Sequence, residues 1–125
     1  MSERMMHIGE LSERTGLSLR SLRHWDEVGL LPPSGRTDGG FRLYSEGDEA
    51  RVLFIRRMRP LGFTLDEMRE IAEAMDASPA DPMAGLTPER AAWFRAETEE
   101  RRARLARDLA FAEEFQRLIG APREA

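Results

Sequence analysis

Arg20 and Arg23 stand three residues apart with His24 beside the second, and Arg36 and Arg42 follow in "LSLRSLRHWDEVGLLPPSGRTDGGFRLYS", residues 17–45. A guanidinium is a planar fork of donors that matches the two acceptors of a guanine edge, or two phosphate oxygens. Arg20 and Arg23 on one helix face can enter a major groove together. Ser18 and Ser21, at the start of the same helix, can hold phosphates alongside and fix register without reading sequence. The competing account is ordinary surface pairing of these arginines with Asp26, Glu27 and other acids. A second cationic pair, Arg36 and Arg42, on a separate element weighs against it, because two such elements grip a backbone from both sides of a groove.

The whole chain does not share this bias. Its 125 residues hold 23 acids against 19 bases, a net charge of −4, so a polyanion must be met by a local basic surface. Every base is arginine, which a coding bias explains more simply than selection for guanidinium chemistry. Cysteine is absent, which removes disulfides, thiol catalysis and thiolate-held metals or clusters. His7 and His24 lack ligand spacing, so neither metal nor cofactor is expected. No nucleophile with a base partner and no phosphate loop is present, and the chain is not expected to be an enzyme. No apolar run approaches a membrane span, and "MSERMMHIGE" lacks the apolar core of a signal peptide. A cytoplasmic protein is expected.

Helical patterns must position these arginines. "HIGELSERTG" gives a short helix stopped at Gly16, "TGLS" a turn, and Ser18 the cap of a second helix to about Val28, with Leu19 and Leu22 on its apolar edge. The prolines of "LLPPSG" force an extended path. "GRTDGGFRLYS" then signals a short hairpin, a wing rather than a sheet. "SEGD" opens a helix from about Glu46 to Leu61. "TLDE" caps another, with Leu65, Met68, Ile71 and Met75 at helical spacing. Tyr44 is assigned to the core.

"MDASPADPMAGL" predicts a linker, residues 76–86, between a compact unit over 1–75 and an arm. Thr87 and Pro88 then start a helix that runs to Ile119, before a tail over 120–125. Phe94, Leu105, Leu109, Ala112, Phe115 and Ile119 lie near heptad spacing along it. Such an arm cannot bury its own stripe, so a second copy of the helix is the simplest partner and a homodimer is expected. Trp93 and Phe94, with Met75, Met83 and Leu86, are expected to pack the arm rather than to line a ligand pocket.

Residues 8–71, through "TGLS", "LRHWDEVGLL", "GFRLYS" and "LGFTLDEMREI", closely resemble the DNA-binding domain of the MerR family of bacterial transcription regulators. The resemblance implies a mainly α fold: a winged helix-turn-helix followed by a long dimerisation helix in an antiparallel coiled coil. It implies a homodimer on double-stranded DNA at a pseudopalindromic promoter operator, acting with RNA polymerase by bending and untwisting the DNA. Smooth bending of such a site costs on the order of 1–6 kcal/mol.

Site residues carry over one at a time. Arg23 matches the arginine that enters the major groove, and Arg20 a nearby position that is often basic. Trp25 stands where a tyrosine usually touches phosphate; His24 replaces another aromatic and either contacts DNA or packs. Arg36, Phe41 and Arg42 match wing residues at the backbone, and Arg59 the basic residue of a second wing. Pro60 departs from the family pattern and predicts that the preceding helix ends a residue early. Metal-sensing relatives use cysteines that this chain lacks, and no effector is assigned from the sequence. The alternative from another class is a coiled-coil interaction module whose head binds protein; it leaves Arg23, Arg36 and Arg42 unexplained.

Overall fold

The computed structural model describes residues 4–122; residues 1–3 and residues 123–125 of the expected tail lie outside them. Two compact units, Met1–Leu86 and Thr87–Ala125, divide the chain.

In the first unit, strand β1 (Met5–His7) leads into helix α1 (Ile8–Thr15), and a turn separates this from helix α2 (Leu19–Glu27). Gly16 ends α1 in the left-handed region at φ 75°, donating its N–H to the Ser12 carbonyl at 2.9 Å, a conformation that costs glycine no Cβ clash. Ser18 caps α2: its Oγ accepts from the Ser21 N–H at 3.0 Å. Leu22 and Trp25, three apart on one face of α2, are buried with Leu11, Leu30 and Leu31. Leu19 continues their edge at the same spacing but is not buried with them. It begins the helix, a turn ahead of that stripe, and is partly exposed.

Strands β2 (Gly35–Arg36) and β3 (Arg42–Ser45) form the wing hairpin. Thr37 closes its loop, donating to the Phe41 carbonyl at 2.9 Å and accepting from Gly40 and Phe41, with Gly40 at φ 84°. The wing is nevertheless part of a sheet, which corrects the expectation of a free hairpin. β1 pairs with β3, Met6 opposite Tyr44, to give the antiparallel order β1-β3-β2. Met6 and Tyr44 are fully buried in that sheet.

Ser45 opens helix α3 (Glu46–Ile55) with a capping box: Asp48 N–H donates to Ser45 Oγ at 3.1 Å, and Ser45 N–H to Asp48 Oδ2 at 2.9 Å. Ser34 Oγ donates to the same carboxylate oxygen at 2.5 Å, so this buried acid is well provided with donors. α3 stops at Ile55, well short of Leu61, and continues only as a 3-10 turn over Arg56–Met58. Pro60 accounts for the correction: its ring would clash with the carbonyl of Arg56 in a continuous helix. Thr64 and Glu67 form a second capping box at helix α4 (Leu65–Ala77), whose Ile71, Ala72 and Ala74 are buried.

The segment expected to be a linker is built onto this unit. Its Pro82–Gly85 portion forms a 3-10 turn, capped where Asp81 accepts from the Met83 N–H at 3.2 Å, and Gly85 abuts the backbone of Ala74 in α4.

The second unit is helix α5 (Pro88–Ile119), capped by Thr87 accepting from the Arg90 N–H at 3.2 Å. At ~1.5 Å per residue its length is about 48 Å. Among the described residues, no helix is long and apolar enough to cross a membrane.

Candidate nucleic-acid interface

The exposed face of α2 carries Arg20, Arg23, His24 and Glu27 at successive helical positions, an i, i+3, i+4, i+7 row that leaves all four on one side. With Ser21, Arg59 and an edge of Trp25 they line an open cleft of about 780 Å³. Arg59 also borders a second, shallower cleft with Thr15, Gly16, Leu17, Arg56, Arg57 and Pro60. α2 and the loop before α4 therefore present one cationic concavity from two elements. Its sequence-expected members Arg20, Ser21, Arg23, His24 and Arg59 are brought together there, with the carboxylate of Glu27, named in the sequence only as a possible surface partner, in the same lining.

The partners of the arginines decide what the concavity can bind. Within Met1–Leu86, Arg4 and Arg14 pair with Glu10, and Arg14 also with Glu49. Arg51 pairs with Asp48 and Asp76, and Arg69 with Asp66 and the Val28 carbonyl. Arg56 donates to the Thr15 carbonyl and Arg57 to that of Leu53. Among the described residues of this unit, the guanidinium groups with no hydrogen-bond or ion-pair partner are those of Arg20, Arg23 and Arg59, and all three line the cleft. The surface pairing of Arg20 and Arg23 with Asp26 and Glu27 that the sequence left open does not occur.

Asp26 is engaged elsewhere. Its Oδ2 accepts from Arg42 Nε at 2.7 Å and from Arg36 Nη2 at 3.2 Å, while Arg36 Nη1 donates to the Gly40 carbonyl at 3.1 Å. The Arg42 guanidinium is held above the ordinary arginine value, chiefly by its hydrogen bond to Asp26. The two wing arginines thus lie where the hairpin signal put them, tied to the helix that carries Arg23. Nothing in the sequence separated Asp26 from other helix-face acids. Its partners are ten and sixteen residues away.

Three other expected residues differ in setting. Phe41 stands at the wing tip, 69% exposed. Ser18 is exposed with its hydroxyl committed to capping and to Ser21 Oγ at 3.1 Å. Trp25 was expected to offer its indole to a phosphate; it is only 4% exposed, because its place three residues after Leu22 sends the large ring into the core. Tyr44 is buried as assigned, and burial raises its phenol above the ordinary tyrosine value.

On α5, Leu105, Leu109, Phe115 and Ile119 are exposed, as is Ala112. Phe94 departs from that stripe: it is 4% exposed, edge-on to Trp93 at 5.0 Å with the Arg90 guanidinium over both rings. Phe111 and Leu118, which the heptad pattern omitted, are exposed too. They widen the apolar surface to roughly half the helix circumference at about 100° per residue.

Residues 6–75 match the model of the "MerR HTH family regulatory protein", and residues 49–110 that described as "MerR, DNA binding". The chain is 49% identical over 70 residues to nodulation protein NolA of Bradyrhizobium elkanii, an overlap of 56% of this chain and 32% of that one. It is 38% identical over 73 residues to the mercuric resistance operon regulatory protein of Bacillus cereus, covering 58% of this chain and 55% of the relative. These overlaps span about a third to a half of the relatives' length. The crystal structure of MtaN, the N-terminus of the Bacillus subtilis multidrug transporter activator, superposes with a TM-score of 0.59 at 28% identity, covering 93% of this chain and 99% of that one.

Proposed function

The chain belongs to the MerR HTH family of regulatory proteins, and from that premise we propose that it is a sequence-specific, DNA-binding transcription regulator. It acts as a homodimer on a pseudopalindromic promoter operator in the cytoplasm, together with RNA polymerase, by bending and untwisting the promoter. Residues 1–75 bind the duplex, 76–86 join them to the arm, and 87–119 pair with a second copy as an antiparallel coiled coil.

One observation carries this reading: the three guanidinium groups left unpartnered among the described residues of the first unit converge on one cleft beside α2. Three arginines that no acid holds share the cleft with one carboxylate, Glu27, and a polyanion relieves that excess of positive charge. Arg23 reads a guanine edge in the major groove with Arg20 beside it. Ser21, His24 and Arg59 hold the flanking backbone, and the wing, through Arg36, Phe41 and Arg42, reaches the next strand. The exposed stripe Leu105, Leu109, Ala112, Phe115 and Ile119 supports pairing between copies. A head that binds protein instead is not favoured, since a family of regulators accounts for both the cleft and the arm.

The test is a salt titration of the purified protein on DNA from upstream of its own operon beside a scrambled duplex. Tight binding to the first alone, falling steeply with salt, is expected. Weak binding that is equal for both duplexes at low salt would refute the reading.

A further inference from the structure

Asp26 lies one helical turn beyond Arg23 and joins α2 to both strands of the wing. Resting on the DNA-binding reading above, we propose that Asp26 is a positioning residue for DNA recognition: it fixes the wing relative to α2 and withholds the charge of Arg36 and Arg42 from phosphates that do not fit.

The hairpin needs such a residue. β2 and β3 share only two register pairs, Gly35 with Leu43 and Arg36 with Arg42. The second sets two cations directly opposite each other at the end of a two-residue strand, and like charges so placed destabilise a ladder. A single carboxylate oxygen accepts from both guanidinium groups, at 2.7 and 3.2 Å, and offsets that repulsion. The Asp26 side chain is 14% exposed, so its interaction with Arg42 is less screened than an ordinary surface pair.

The same bond changes what the wing does on DNA. An unpaired arginine meets any phosphate, whereas one held by a carboxylate must exchange that partner for a phosphate. The exchange is favourable only where the groove presents the phosphate in place, with α2 already seated. On mismatched DNA the arginines stay with Asp26. Nonspecific affinity is thereby lowered more than specific affinity, and it is the ratio between them that a regulator needs. Arg20, Arg23 and Arg59, which no acid holds, supply the initial attraction.

The experiment compares wild type, Asp26→Asn and Asp26→Glu. Each is titrated with salt on a duplex that the wild type selects from a random pool, and on a scrambled one. Asp26→Asn is expected to bind the scrambled duplex about fivefold more tightly with a salt slope steeper by about 1, and the selected duplex no more tightly. Asp26→Glu should restore much of the ratio. In the free protein, exchange of the Thr37 and Phe41 amides, which close the wing loop, should speed up in Asp26→Asn. An unchanged ratio and slope, or equal loss of both affinities, would overturn the proposal, as would unchanged amide exchange. If the wild type selects no sequence at all, the DNA reading itself fails, and the amide exchange still decides whether Asp26 holds the wing.

Discussion

Gly85 and Ala74 are in such close backbone contact that a Cβ on the glycine would fall well inside the van der Waals envelope of the Ala74 carbonyl. The backbone cannot yield as a flexible side chain would. The turn over Pro82–Gly85 is thus seated on α4 by the lack of a side chain at one position.

Gly85→Ala should therefore displace that turn and lower stability by roughly 1–3 kcal/mol. Urea denaturation would measure it. A midpoint equal to wild type would show that the turn is not held against α4 in solution.

Tyr44 gives a pH-dependent prediction. Burial raises its pKa in the folded protein above the ordinary 10. The folded state therefore keeps a proton that the unfolded state releases, so stability is unaffected below about pH 10 and falls as pH rises through the raised value. As the chain holds one tyrosine, its ultraviolet ionisation can be followed directly. Its buried hydroxyl has no hydrogen-bond partner among the described residues, so Tyr44→Phe should be neutral or stabilising by up to about 1 kcal/mol at pH 7. It should also remove this group's alkaline loss. Normal ionisation near pH 10 in the folded protein would contradict the burial.

What the sequence disclosed and what it hid divide along physical lines. The caps at Ser18, Ser45, Thr64 and Thr87 are local, since residue type and a spacing of three determine them. The grouping of Arg20, Arg23 and His24 follows likewise from helical period. The engagement of Asp26 with Arg36 and Arg42 needs a chain reversal through the prolines, and no local rule supplies that geometry. β1 was missed because three residues are too few to show alternation. Trp25 combines two settings: the resemblance gave it a contact role and an edge of it reaches the cleft, while its spacing from Leu22 accounts for the burial of most of the ring.

Arg23 and Arg59 line the same cleft but should fail differently. Arg23→Ala should weaken binding to the operator by roughly 1–3 kcal/mol and relax base preference at one position in each half-site. Arg59→Ala, at the position proposed to contact only the backbone, should weaken binding to all duplexes alike and reduce the salt slope by about 1. Binding selections with each variant distinguish the two. Equal loss on operator and scrambled DNA for Arg23→Ala would remove its base-reading role.

Leu109 and Phe94 separate two functions that heptad spacing had merged. Leu109 is 61% exposed on α5, whereas Phe94 is 4% exposed. A charge at Leu109 costs the isolated chain little but would break the apolar seam proposed between copies, so Leu109→Glu should leave helical content intact and halve the mass seen by light scattering. Phe94→Ala removes a buried aromatic and should lower stability by about 3–5 kcal/mol within a single chain. Phe111→Glu gives a third readout. A two-stranded seam alone would not cover Phe111, because it lies well to one side of Leu105 and Leu109 on the helix. If Phe111→Glu also dissociates the dimer, the partner covers the broad face. If only Leu109→Glu does so, the contact is the narrow stripe. An unchanged mass for Leu109→Glu would remove α5 from dimerisation altogether.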